Sequence, residues 1–340
     1  MSPVQIIFTI VGILIVVGAS FGKITRQTHT NNSWVSDSIL FDHNSEDLGV
    51  SADLFRWPKQ SYLPRTKLIG EATGHLDIWI YDITFRNLRD LLVAKNKQTP
   101  VRLIIEHDKY KDDGEKIKET LSILKAWGIQ VSDDRKLKVN FTHAKTLITD
   151  NFVLIQTSNL TKNSFDNNRE YYAVVREPAI IRNLQELFDR DRQGIKTSAW
   201  QINPNILVCP IDCRTKIQSL IDHAKKSIII QNQQMNDPNL IALLNQKIAE
   251  GIKVQIIVAD KEGAESLTPQ FPLGIVRKLK KPYPHAKMML IDDKILKVSS
   301  INFTTNSMDN NREIWILIKS PKAIDQFLTN FKADRSVSKR

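Results

Sequence analysis

The sequence predicts an α/β protein in which one pattern of strands and helices is written twice, and three observations carry that prediction. "NLTKNSFDNNRE" at 159–170 returns as "NFTTNSMDNNRE" at 302–313, 143 residues further on. Both copies run into an apolar strand, "YYAVV" or "IWILI". Beyond Pro178 or Pro321 follows a helical pattern in which Ile181, Leu184 and Phe188 answer Ile324, Phe327 and Phe331. Upstream, "LDIWIYDITFRNLRDLL" answers "SIIIQNQQMNDPNLIALL" as strand then helix, and "VRLIIE" answers "VQIIVA" as a second strand. Each lobe, expected at 56–200 and 201–335, is then a mixed β-sheet flanked by helices. Duplicated halves pack face to face about a pseudo-twofold, as in an isologous dimer, so matching motifs are expected to meet in one shared site.

In chain order, the first element is an apolar run. Residues 2–22 carry no charged side chain, a length that suits a membrane-spanning helix or a signal peptide. No Lys or Arg precedes the run, Val17 and Ala19 would suit a cleavage site, and Lys23 and Arg26 follow it. The reading is a retained anchor at a bacterial inner membrane, with secretion or a periplasmic location if the segment is cleaved. Residues 23–55 are expected as a polar tether. The lobes differ in their connections: the first carries a charged insertion, "HDKYKDDGEKIKE" at 107–119, where the second has a shorter link ending in "RKLKKPYP". Recognition particular to one lobe is expected in such unmatched stretches. The "KLKK" run at 278–281 reads as a solvated basic loop or as a guide for phosphate. Two cysteines, Cys209 and Cys213 in "CPIDC", lack the second pair that a zinc site needs and read as half-buried thiols.

A net charge of +11 reads either as a soluble basic surface or as the mark of an anionic partner, an acidic membrane face or nucleic acid. Chemistry comes from "HAKTLITD" at 143–150 and "HAKMMLID" at 285–292. Each reads as the first strand of a hairpin turning at Asp150 or at Asp292. Residues two apart on a strand share a face, so His143 points with Lys145 and His285 with Lys287. Asp150 and Asp292 are seven residues on, turn the other way and are read as holding the turn. Two imidazoles and two ammonium groups in one cleft suit a phosphodiester, whose reaction needs fixed positive charge on the phosphoryl oxygens. One imidazole can attack phosphorus while the other protonates the leaving alcohol and deprotonates the incoming one, with no metal or other cofactor. Asn159 and Asn302 can donate to the phosphate, and Glu170 and Glu313 are candidates for fixing each imidazole's tautomer.

These motifs resemble those of the phospholipase D superfamily: HxKx4D, a GSxN-like tetrapeptide and a downstream acidic residue, present twice over about 280 residues. The resemblance implies a metal-independent ping-pong reaction with His143 as nucleophile and His285 as general acid and base. It also implies Lys145, Lys287, Asn159 and Asn302 on the phosphate and Glu170 and Glu313 on the imidazoles, with Asp150 and Asp292 counted in the catalytic motif. The glycine of GSxN is absent from "QTSN" and "SSIN", while Thr157 and Ser300 keep the hydroxyl position and are expected on the phosphate. The function expected is a phosphodiesterase hydrolysing or transphosphatidylating phospholipids through a phosphohistidine. The alternatives are a membrane-tethered nuclease and a non-catalytic phosphate-binding scaffold. Partners expected are a phospholipid membrane or else nucleic acid, with the chain a monomer of two pseudo-dimeric lobes. Asn140, Asn159 and Asn302 begin N-x-T sequons, and a glycan at either of the last two would block the site, which argues against a glycosylating lumen.

Overall fold

The computed structural model describes residues 48–58, 63–107, 115–261 and 264–340. The first lobe contributes β1 (Asp53–Arg56), β2 (Leu76–Ile80), β3 (Val101–Ile105), β4 (Gln130–Asp133), β5 (Thr146–Ile148), β6 (Val153–Gln156), the short β7 (Asn168–Arg169) and β8 (Tyr171–Val175). The second contributes β9 (Ile206–Cys209), β10 (Ser227–Asn232), β11 (Lys253–Ala259), β12 (Val276–Leu279), the short β13 (Tyr283–Pro284), β14 (Lys287–Ile291), β15 (Ile295–Ser299) and β16 (Glu313–Ile318). Fourteen of them form two seven-stranded sheets, β1-β8-β6-β5-β2-β3-β4 and β9-β16-β15-β14-β10-β11-β12, and β7 pairs with β13 in a separate two-stranded sheet. Strand for strand the topology is the same. β2, β3 and β4 run parallel, as do β10, β11 and β12, and the remaining pairings within the two large sheets are antiparallel.

Parallel neighbours need crossovers, and the helices Arg86–Asn96 and Pro238–Ala249 supply the first one in each lobe. Strands covered on both faces read as continuous apolar runs, which is why all five residues of β2 and of β14 are buried. A central core joins residues of both sheets, Trp79 and Ile155 with Met288 and Val298, to the buried faces of the helices Pro178–Gln193 and Pro321–Val337. The expected helical triads, Ile181, Leu184 and Phe188 with Ile324, Phe327 and Phe331, all lie in this core. Each helix opens on a proline at its first turn, where the missing N–H costs nothing. Gly194 at φ 74° ends the first of them.

Two expectations need correction. The tether expected at 23–55 does not reach so far, because the folded body already includes Leu48. Leu48, Val50, Ala52 and Leu54 are buried at a period of two, Val50 bridges to Ile318, and β1 extends the first sheet beside β8. The polar residues between them set the composition of the stretch, while the alternation sets its structure. Cys209 and Cys213 are a disulfide rather than two thiols, with Cα atoms 5.1 Å apart. A turn in which Ile211 and Asp212 donate their N–H groups to the Val208 carbonyl folds the two cysteines together. The anchor or signal expected at 2–22 lies outside the described residues, among which no helix is long and apolar enough to cross a membrane.

Candidate active site

The first His-x-Lys segment stands ahead of its hairpin, since β5 begins only at Thr146, whereas in the second His285 stands ahead and Lys287 is already the first residue of β14. The other lobe holds each segment. The N–H groups of His143 and Ala144 both donate to the Arg312 carbonyl at 2.9 Å, and the Arg312 N–H donates to Phe141 at 2.8 Å. In the mirrored place, β13 pairs with β7, setting Tyr283 beside Asn168 and Pro284 beside Arg169. The NNRE repeat of one lobe therefore runs along the approach to the histidine of the other.

This pairing sends each glutamate across the lobe boundary. Both carboxylate oxygens of Glu313 lie 3.0 Å from Nδ1 of His143. Glu170 Oε1 lies 2.7 Å from Nδ1 of His285, off the axis of the ring N–H. With Nδ1 turned to a carboxylate, Nε2 of each ring is left for a ligand. The lysines are fully buried: Lys145 Nζ donates to the His143 carbonyl at 2.7 Å, and Lys287 Nζ donates to the His285 carbonyl and to Gln233 at 2.8 Å each.

Thr157 and Ser300 do something other than expected. Thr157 Oγ1 donates to Glu170 Oε2 at 2.5 Å, and the Ser300 hydroxyl supports Glu313. Both hydroxyls are fully buried behind the glutamates, so they brace the carboxylates rather than line a phosphate site. Two further supports were not singled out from the sequence. Asn168 Nδ2 donates to Glu170 at 3.0 Å and Asn311 Nδ2 to Glu313 at 3.4 Å. The arginines between them reach the opposite lobe's long helix, Arg169 to Asp334 at 2.7 Å and Arg312 to Asp191 at 3.0 Å. The verbatim repetition of "NNRE" was the signal for all four.

Asp150 and Asp292 do not join the site. Asp150 contacts His75 Nδ1 at 2.6 Å, and Asp292 accepts the backbone N–H groups of Lys225, Lys226 and Ser227, which closes the far end of each hairpin. Their place in the catalytic set is thus corrected to a structural one. Asp292 and Asp293 turn with φ of 54° and 57°. Asn159 and Asn302 do reach the site. Leu160 is pinned to Ile83 and Phe303 to Met235 by isolated bridges, and each asparagine presents a buried amide oxygen with no hydrogen-bond partner. Two cavities open there, one of about 830 Å³ bearing His285 and Asn159, the other of about 600 Å³ bearing His143 and Asn302. Each combines the histidine of one lobe with the asparagine loop of the other.

Burial dominates the electrostatics. It pushes His143 below the ordinary imidazole value and His285 down to about 4; the nearby lysines add to both shifts and the glutamates oppose them. Burial likewise lowers Lys145 to about 8 and Lys287 well below its usual value, against the pull of the two glutamates. For Glu170 and Glu313 burial acts upward, but the facing histidine and lysine outweigh it and hold both carboxyls ionised. Each lysine also acts on the opposite lobe's histidine, so the two halves form one electrostatic unit. Among the described residues no three His, Cys, Asp or Glu side chains cluster as metal ligands.

The family described as "Cardiolipin synthase, PLD-like domain" matches residues 66–192 and 217–335, which together hold both histidines, both lysines and both glutamates. The chain belongs to that family. Cardiolipin synthase 1 of Bacillus anthracis is 27% identical over 131 residues, 36% of this chain and 26% of that enzyme. A mitochondrial cardiolipin hydrolase of Chlamydomonas reinhardtii is 28% identical over 123 residues, 36% of this chain and 53% of the relative. The matched stretches thus span about a quarter and about half of those two proteins. Phosphatidylserine synthase of Haemophilus influenzae Rd KW20 has the same fold, at a TM-score of 0.66 and 14% identity, covering 85% of this chain and 87% of the other.

Proposed function

We propose that this chain is a phosphodiesterase acting on phospholipids, which transfers the phosphatidyl group to water or to another alcohol. The observation that carries the reading is the reciprocal placement of His143 on Glu313 and His285 on Glu170. Only both lobes together complete either pair. The catalytic names of the relatives, all concerned with phospholipids, support lipid as the substrate.

The steps balance without outside reactants. Nε2 of His143 attacks phosphorus while the bond to the leaving alcohol breaks, and His285 gives that alcohol its proton. A phosphohistidine results. Water or a second alcohol then gives its proton to His285 and attacks phosphorus, which releases His143. The lysine ammonium groups and the asparagine amides hold the phosphoryl oxygens throughout. The apolar run at 2–22 would keep this chemistry at a membrane.

The test offers the full chain mixed phospholipid vesicles with a primary alcohol, and separately single- and double-stranded DNA. Phosphatidic acid or a phosphatidyl alcohol, formed by the unaltered chain and not by His143→Ala, is the expected result. Cut DNA beside untouched lipid would contradict it, and would make the net charge of +11 the signature of a nuclease.

A further inference from the structure

Behind the asparagine loop of the first lobe lies a charge that the mechanism above does not use. Arg65, on the helix Leu63–Glu71, is 1% exposed. Its guanidinium carbon lies 4.6 Å from the ring centroid of Phe165, 4.9 Å from that of Trp57 and 5.5 Å from that of Tyr172. Nη2 donates to Ser158 Oγ at 2.8 Å. Among the described residues no carboxylate comes within ion-pair distance of it, and Nε and Nη1 have no hydrogen-bond partner. Aromatic faces attract a cation but do not replace the hydrogen bonds it made in water, so much of its desolvation cost stands. Burial lowers its pKa only to about 10, and the charge is kept at neutral pH. Folds retain a group so costly where its charge is used.

Three consecutive residues show what that use is. Thr157 braces Glu170, Ser158 accepts from Arg65, and Asn159 lines the cavity that bears His285. Arg65 thus grips the loop between the carboxylate that serves one histidine and the amide that serves the phosphate. The second lobe meets the same demand by other means. Ile301 stands in the place of Ser158, and its carbonyl accepts from Asn232 Nδ2 at 3.1 Å. A basic group again lies over the ring two residues past the glutamate: Lys297 over Trp315, as Arg65 over Tyr172. The two arrive from unrelated positions, since Lys297 on β15 answers Leu154 of the first lobe. The family match begins at residue 66, one residue past Arg65.

We infer that Arg65 is a positioning residue of the phosphate site, which holds the Ser158–Asn159 loop in place and lends it a buried positive charge. The inference rests on the phosphodiester reading above and adds to its site a residue from outside both repeated motifs. A buried charge is screened weakly, so it acts across the loop on negative charge developing at the phosphoryl oxygens. A loop fixed beforehand also spares the cost of ordering it when substrate binds.

Arg65→Met, Arg65→Lys and Ser158→Ala are compared with the unaltered full chain in three measurements. These are cleavage of bis(4-nitrophenyl) phosphate, calorimetric titration with inorganic phosphate, and urea denaturation. The diester is neither lipid nor nucleic acid, so the choice between those substrates does not enter. Arg65→Met is expected to lower kcat/KM and phosphate affinity about tenfold or more. Its urea midpoint should stay level or rise, because an apolar side chain then replaces a buried charge. Arg65→Lys should recover part of both losses, since it restores the charge without the fork. Ser158→Ala should show a smaller loss of the same kind, and it reads the loop's anchor even where the methionine variant fails to fold. Kinetics and phosphate affinity unchanged in Arg65→Met, or in Ser158→Ala, would overturn the inference. So would a loss of activity that follows a fall in the urea midpoint equally in the methionine and lysine variants. An unaltered chain that neither cuts the diester nor binds phosphate would remove the phosphodiester reading and this inference with it.

Discussion

Glu170 and Glu313 each face Nδ1 of a histidine that belongs to the other lobe, and a carboxylate placed there favours the tautomer that carries its proton on Nδ1. Glu313→Gln and Glu170→Gln keep the side chain's shape and lose its charge, so kcat is expected to fall about a hundredfold or more while the fold persists. Burial sets both imidazoles below 6.5, so the protonated form that donates to the leaving alcohol is scarce at neutral pH. The kcat/KM profile should peak on the acid side of 6.5, decline through neutrality, and decline again as Lys145 loses its proton near 8. Glu170→Gln removes the group that opposes the lowering of His285, so it should move the alkaline limb further to acid. An optimum above pH 7 would contradict these assignments.

Lys297 is a residue whose position the sequence did not disclose. Its ammonium nitrogen is buried with no hydrogen-bond partner, 4.1 Å from the Phe303 ring centroid and 4.2 Å from that of Trp315, and burial pushes its pKa well below the usual value. The unfolded chain keeps that proton up to about pH 10.4, so it binds more protons than the folded one and stability rises with pH across the interval. Lys297→Met should stabilise the fold at neutral pH by about 1–3 kcal/mol and flatten that pH slope. Thermal melts between pH 6 and 9 would show it. Nothing in "KILKVSS" distinguishes a lysine between two aromatic rings from one in water.

At the scale of the element, the two NNRE segments do three tasks at adjacent positions. The second asparagine braces its own lobe's glutamate, the arginine ties down the opposite long helix, and the glutamate crosses to the opposite histidine. Arg169 and Asp334 are both buried, and removing one partner strands the other's charge. Arg169→Ala is expected to cost about 3–5 kcal/mol in urea denaturation. The double change Arg169→Met with Asp334→Leu should recover much of it. Loss in the double variant equal to or beyond that in the single one would contradict the account.

The repeat that marks these segments was plain in the sequence, as were the apolar strands and the two helical triads, because periodicity and repetition are local. The partners were not. A contact from Arg169 to Asp334 spans 165 residues and leaves no spacing to read. The hydroxyls of Thr157 and Ser300 were misplaced for a related reason: strand alternation tells which face a residue takes but not whether a glutamate already fills it. The stretch that leads into β1 was hidden by composition, its buried Leu48, Val50, Ala52 and Leu54 being diluted by Ser51 and Asp53 between them.

At the scale of the molecule, duplication explains both the fold and the site. Two copies of one sheet pack through a single apolar core, and the pseudo-twofold brings each motif to the other's support. The halves have since diverged where the fold does not constrain them, in the lining of the cavities, so one half is basic and the other uncharged. A symmetric pair of histidines with asymmetric surroundings suits two different roles. The class of fold and the identity of the two histidines were legible because a repeated motif implies a repeated unit. The difference in charge between the two cavities was not, because it depends on which loops face the cleft.

The most direct test of the central claim, that one site draws one histidine from each lobe for separate steps, is to trap the intermediate. Phospholipid labelled at phosphorus is mixed with excess enzyme and quenched in alkali, which spares a phosphohistidine. The account predicts label on His143 that disappears in His143→Ala and persists in His285→Ala whenever the leaving alcohol needs no proton. Label on both histidines, or on His143 of a chain whose second lobe has lost Glu313 without any fall in rate, would contradict it.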